Sequence, residues 1–106
     1  MVKRGEVWLA TLDPTIGSEI RKTRSCLVIS PNEINDHLRT VTVAPMTSAS
    51  RPAPYRVPLR FDEKDGLVLT EQVRALDKRR LVKRLGQVPG PVLSRVLQIL
   101  RETYED

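Results

Sequence analysis

Apolar positions along the chain fall in short runs cut by turn residues, and the rhythm changes only near the C-terminus. Glu6 to Leu12 (EVWLATL) follows a glycine and stops at Asp13-Pro14, while Cys26 to Ser30 runs almost without a polar break to Pro31-Asn32. Bounded runs of this kind predict interior strands. Thr40 to Met46 (TVTVAPM) alternates, with Val41 and Val43 on one face and Thr40 and Thr42 on the other, which predicts a half-buried strand. Arg56 to Phe61 (RVPLRF) also alternates, and the missing N–H of Pro58 predicts a place at a sheet edge. Gly66 to Thr70 and Gln72 to Leu76 continue the pattern around a polar break, Arg84 to Val88 predicts a last short strand, and Ser50 to Tyr55 (SRPAPY) predicts a surface loop.

Pro89-Gly90-Pro91 then punctuates the chain, and Pro91 suits the first turn of a helix, where its missing N–H costs nothing. Beyond it Leu93, Val96, Leu97, Leu100 and Tyr104 recur at three and four, and this stripe predicts a helix packed on the sheet. Several short strands and one terminal helix favour a mainly β fold, a small curled antiparallel barrel, because curling removes exposed edges.

The chain's 106 residues supply one domain, residues 1–106, with one modest core. A composition 40% hydrophobic reads as globular despite 29% charged residues. The formal charge of +5 favours polyanionic partners and equally suits an acidic protein partner. No apolar segment is long enough for a membrane span, and Met-Val-Lys-Arg-Gly lacks the apolar stretch of a signal peptide, so the cytoplasm is the expected compartment.

Candidate chemistry narrows quickly. Cys26 is the single cysteine, sits in an apolar run, and reads as a small buried hydrophobe. His37 is the single histidine and lies in the polar stretch Asn35-Asp36-His37, a surface loop by pattern. Neither a zinc pattern nor a pair of histidines for acid and base work exists. What remains is a set of polar residues at strand ends: Glu19 and Arg24, then Thr47 and Ser48, then Glu71 and Gln72.

Five blocks, "RGEVWLATLDPTIGSE", "RSCLVIS", "VTVAPMTS", "LTEQVRALDKRRL" and "LGQV", resemble in order and spacing the toxin family called MazF, PemK or Kid. The resemblance implies an SH3-like (MazF/CcdB-like) barrel with a C-terminal helix, a homodimer, and metal- and cofactor-independent, sequence-selective cleavage of single-stranded RNA, restrained by a cognate antitoxin. An acidic, partly disordered antitoxin tail would compete with RNA phosphates for a basic groove. Two departures stand out. Arg24-Ser25 occupies the place of the family's usual Arg-Pro, and Leu69-Thr70-Glu71-Gln72 lacks the arginine that the Kid branch carries before its Asp-Gln pair. The Arg and Thr of the MazF pattern carry over as Arg24 and Thr47.

These residue types suit attack of a ribose 2′-OH on the adjacent phosphorus. Arg24 offers planar, permanently charged donors to the phosphoryl oxygens, and Thr47 hydrogen-bonds the same phosphate or orients the 2′-OH. An arginine is a poor proton-transfer group in water, so Glu19 is the candidate helper. Arg21, Lys22, Ser48, Gln72, Arg74 and Lys78 make up the candidate RNA-binding set. The plainer readings stay open: a solvated charge for Arg24, a turn cap for Thr47, strand residues with solvated tips for Gln72 and Arg74, and core packing for Trp8. So do two other functions on the same barrel, a non-catalytic inhibitor like the gyrase poison CcdB and an RNA-binding barrel that does not cut.

Overall fold

The computed structural model describes residues 1–12 and 23–106. Seven strands are joined into one curled antiparallel sheet: β1 (Glu6–Thr11), β2 (Thr23–Val28), β3 (Thr40–Thr47), β4 (Arg56–Phe61), β5 (Lys64–Leu69), β6 (Arg74–Asp77) and β7 (Leu81–Gln87). Their order is β4-β5-β3-β2-β1-β7, with β6 also on β3. Helix α1 (Asn32–His37) follows β2, and α2 (Gly90–Thr103) closes the chain.

Strand β3 is the spine. One edge pairs with β2; the other pairs with β6 over Thr40–Val43 and with β5 over Met46–Thr47. Pro45 falls where the partner changes, so its missing N–H breaks no ladder on that side. The sheet turns there into a half-barrel, and its far ends meet through side chains. A Cβ on Gly86 of β7 would lie 3.2 Å from Cζ of Phe61 at the end of β4, so the glycine is what lets the ring pack against β7.

Both faces of the central strands are covered, which explains why Cys26-Leu27-Val28-Ile29 reads as continuously apolar. Leu27 and Ile29 join Val7, Ala44, Val57, Val68, Val96 and Ile99 beneath α2. Cys26 and Val28 point the other way, with Ala10, Val41, Val43 and Leu76. At about 25 cal/mol per Å² of apolar area, such two-sided burial is the main stabilising contribution.

Most expected elements are present, with instructive shifts. Strand β2 begins at Thr23, ahead of the apolar run, so Arg24 lies inside it and pairs with Ala10 of β1. Strand β5 begins at Lys64 and β7 at Leu81, both earlier than the pattern predicts. Pro58 is on the edge strand β4, as expected. In α2 the buried positions are Val96 and Ile99, whereas Tyr104, expected on the packed stripe, is 72% exposed just past the helix end. The stretch around His37, expected as a loop, is α1. Buried Asn35 pins it to the end of β2 by donating to the Ser30 carbonyl at 2.9 Å and accepting from Ser30 Oγ at 2.5 Å.

Strand β7 is twice bulged against β1. Its register steps from Gly86 opposite Val7 to Arg84 opposite Trp8, and from Lys83 opposite Leu9 to Leu81 opposite Ala10. The two residues left over are Leu85 and Val82, 39% and 58% exposed. Each bulge turns one apolar side chain outward and sharpens the local twist.

Candidate active site

The site follows from strand register. Strands β2 and β3 pair as Val28↔Val43, Leu27↔Ala44 and Cys26↔Pro45, and there the ladder stops. Continued two positions, the same register sets Arg24 opposite Thr47. Each is held on its outer side, Arg24 by Ala10 of β1 and Thr47 by Leu67 of β5. Between the unpaired ends lies a cleft of about 360 Å³, lined by Thr23, Arg24, Ser25, Thr47 and Ser48. That volume lies near the lower end of the range for ligand clefts, about 300–1,000 Å³.

The remaining walls come from elsewhere in the chain. Met46, Leu59, Phe61 and Leu85 give apolar surface, and Asp62, Lys64, Asp65 and Gly66 belong to the tip of the β4–β5 hairpin. Gly66 sets how close that hairpin comes, because a Cβ there would lie 3.2 Å from the Thr47 carbonyl oxygen. Thr47 Oγ1 accepts from the Ala49 N–H at 3.1 Å, which orients the hydroxyl and leaves its proton to donate. Asp65 takes Arg60 Nη1 at 3.2 Å on an exposed face. Beneath the site, burial pushes the Cys26 thiol up to about 12, with the charges of Arg24 and Arg74 opposing it only in part. The sulfur is therefore a neutral packing atom rather than a nucleophile.

Of the residues singled out in sequence, Arg24, Thr47 and Ser48 are brought together in this cleft. Glu19, Arg21 and Lys22 lie outside the described residues. Three others stand apart from the cleft. Gln72 is exposed in a short 3-10 turn, Thr70–Gln72, beside Glu71, which accepts from Arg56 at 2.7 and 3.0 Å. Arg74 is exposed on β6 opposite Val43. Lys78 is at the far end of β3, its ammonium donating to the Asn35 carbonyl and its N–H to Arg39. Trp8 is half-buried, with Nε1 donating to Glu6 Oε1 at 3.1 Å. The hairpin tip was missed in sequence, because four polar residues, Asp62-Glu63-Lys64-Asp65, separate the two strand-like runs and the turn residues themselves, Asp62-Glu63, are not an Asn-Gly or Asp-Gly pair.

The described helices include none long and apolar enough to cross a membrane. The family described as PemK-like, MazF-like toxin of type II toxin-antitoxin system matches residues 3–104. Endoribonuclease PemK of Escherichia coli is 38% identical over 102 residues, covering 91% of this chain and 77% of that protein. Endoribonuclease EndoA of Bacillus subtilis (strain 168) is 32% identical over 107 residues, covering 95% and 92%. In structure, MazF from Deinococcus radiodurans superposes with a TM-score of 0.82 at 29% identity, covering 96% of this chain and 94% of that one. A MazE–MazF structure from the same organism gives 0.84 at 28% identity, with the same coverage. With the match spanning nearly the whole chain, the protein belongs to the PemK-like, MazF-like family of toxins of type II toxin-antitoxin systems.

Proposed function

We propose that this toxin is a metal-independent, sequence-selective endoribonuclease that cuts single-stranded RNA by attack of a ribose 2′-oxygen on the adjacent phosphorus. The 5′-oxygen leaves, and the products are a 2′,3′-cyclic phosphate and a 5′-hydroxyl. The observation that carries the reading is the meeting of Arg24 and Thr47 across the unpaired ends of β2 and β3, in a chain whose curated relatives are endoribonucleases. A phosphate in the cleft meets the guanidinium of Arg24 from one wall and the Thr47 hydroxyl from the other. Both are anchored in strands, so little reorganisation is needed as charge builds on the phosphoryl oxygens. Glu19 is the candidate helper in proton transfer. Arg21, Lys22 and Ser48 hold neighbouring phosphates, with Gln72, Arg74 and Lys78 attracting the strand at longer range.

In this reading the working unit is a homodimer in the cytoplasm, and a cognate antitoxin with an acidic tail occupies the basic groove and blocks cutting. Support for the partner comes from structural relatives solved as MazE–MazF complexes. The test is incubation of purified protein with mixed-sequence RNA in EDTA, followed by mapping of the ends. Cutting at a short recurring sequence with cyclic-phosphate ends is expected. Intact RNA bound by active-folded protein would overturn the reading in favour of a barrel that binds without cutting, and a protein that neither binds nor cuts would point to a CcdB-like inhibitor.

A further inference from the structure

The β4–β5 hairpin brings a carboxylate into a cleft that, on the reading above, receives a polyanion. Phosphates gain nothing from such a neighbour, so its presence there needs a different recognition target. The tip is a two-residue turn, Phe61 pairing with Lys64 and both Asp62 and Glu63 in the left-handed region at φ 51° and 64°. Positive φ at both central positions is the requirement of a type I′ turn, whose twist matches the flanking strands and fixes where Asp62 stands. Gly66 lets this hairpin approach the Thr47 carbonyl, and Asp62 lines the same cleft as Arg24 and Thr47. Asp65 is already engaged by Arg60, whereas Asp62 takes part in no ion pair among the described residues.

An ionised carboxylate only accepts hydrogen bonds. In single-stranded RNA the donors are the 2′-OH and the N–H groups of the bases. An exocyclic amino group, as on cytosine or adenine, satisfies a carboxylate; a carbonyl in the same place, as on uracil or hypoxanthine, repels it. Phe61, half-buried and braced against Gly86, lines the same cleft and offers a stacking surface that tolerates any base. Stacking therefore supplies affinity and the carboxylate supplies the choice. We propose that Asp62 is a specificity-determining residue, which selects, at one position next to the cut, a base with an amino group at C4 of a pyrimidine or C6 of a purine over one with a carbonyl at that place. This rests on the cleft being the RNA site.

The test uses RNA pairs that differ by one such exchange, cytosine for uracil and adenine for hypoxanthine, at each position around the preferred cut. Cleavage rates are compared for the wild type, Asp62→Asn and Asp62→Gly; asparagine and glycine both tolerate the turn's positive φ. Binding of uncleavable 2′-fluoro copies to the same proteins is measured in parallel. The wild type should favour the amino form at one position by about 5- to 150-fold, and both variants should reduce that preference to about twofold or less. A wild type indifferent to the exchange at every position, or variants that keep its preference, would overturn the assignment. If no RNA is cut, the nuclease reading fails, and the 2′-fluoro binding preference still decides the role of Asp62. A preference that follows the 2′-OH rather than the base would transfer the contact to the ribose and refute base reading.

Discussion

Replacing Glu6 by glutamine removes one charge and no volume, and the structure says what that should cost. Glu6 is 7% exposed at the start of β1. Its Oε1 accepts from the Lys3 N–H at 2.8 Å and from Trp8 Nε1 at 3.1 Å, and its Oε2 accepts from Arg84 Nε of β7 at 2.7 Å. Every partner is a donor, so an amide must aim its NH₂ at a donor in either orientation. Facing Arg84 is the cheaper choice, since one bond is lost rather than two and the Arg84 side chain, 48% exposed, turns to water. A hydrogen bond to a charged group contributes about 1.5–3 kcal/mol. Solvent screening of Arg84 puts the loss near the lower end, roughly 1.5 kcal/mol, or about 6–10 °C in Tm for a domain of this size. The pH dependence separates this mechanism from a mere packing defect. Burial raises the Glu6 pKa, but the hydrogen bond from Arg84, those from Lys3 N–H and Trp8, and the Arg84 charge together outweigh it and hold the carboxyl below 4.5. Stability from the carboxylate is therefore complete above 4.5 and is lost as pH falls through the lower folded-state value. Urea unfolding at pH 7 and at about pH 3 should show the gap between wild type and Glu6→Gln full at the first and smaller at the second. Equal stabilities at pH 7, or a gap undiminished in acid, would refute the reasoning.

Four further outcomes are expected. Arg24→Ala should fold and bind RNA but cut about a hundredfold or more slowly at saturating RNA, the scale of losing one preorganised donor, with Thr47→Ala losing less; an unchanged rate would leave Arg24 a solvated charge. Gly66→Ala should change stability by less than about 1 kcal/mol, because lower unfolded-state entropy offsets the crowding, yet slow cutting several-fold by displacing Thr47; parallel urea unfolding and kinetics show whether the two effects separate. Glu63→Gly relieves a non-glycine residue at φ 64°, a gain of about 1–2 kcal/mol set against about 0.5–1 kcal/mol of added unfolded-state entropy, so a slightly higher urea midpoint is expected, and a clearly lower one would mean the strain is smaller than the entropy cost. Cys26, with a thiol pKa near 12, should resist alkylation at pH 8 and react at the rate of unfolding; rapid labelling of folded protein would contradict its burial.

The strands were legible because each is short, bounded by breakers and patterned, and Pro58 marked its edge correctly. The register that sets Arg24 opposite Thr47 was not, since it depends on which strands pair and where the β2–β3 ladder ends. Helix α1 escaped because it has no apolar periodicity; it is held by one buried asparagine and a serine, contacts that no local pattern displays. Tyr104 kept helical phase with the packed stripe yet fell beyond the last turn, whereas Ile99 was buried. The hairpin tip was overlooked because Lys64 and Asp65 look like loop residues until they are seen to pair with Phe61 and Arg60 of β4.

The bulges of β7 bear on how this protein meets other copies of itself. A half-barrel has two open ends, and an open strand is a template on which a second chain can add, the first step toward fibres. Here β7 carries two irregularities of register together with Lys83 and Arg84, and β4 carries Pro58 between Arg56 and Arg60. Neither presents the flat, regular row of donors and acceptors that a growing sheet requires. Strand-on-strand addition is thereby disfavoured along β4 and β7.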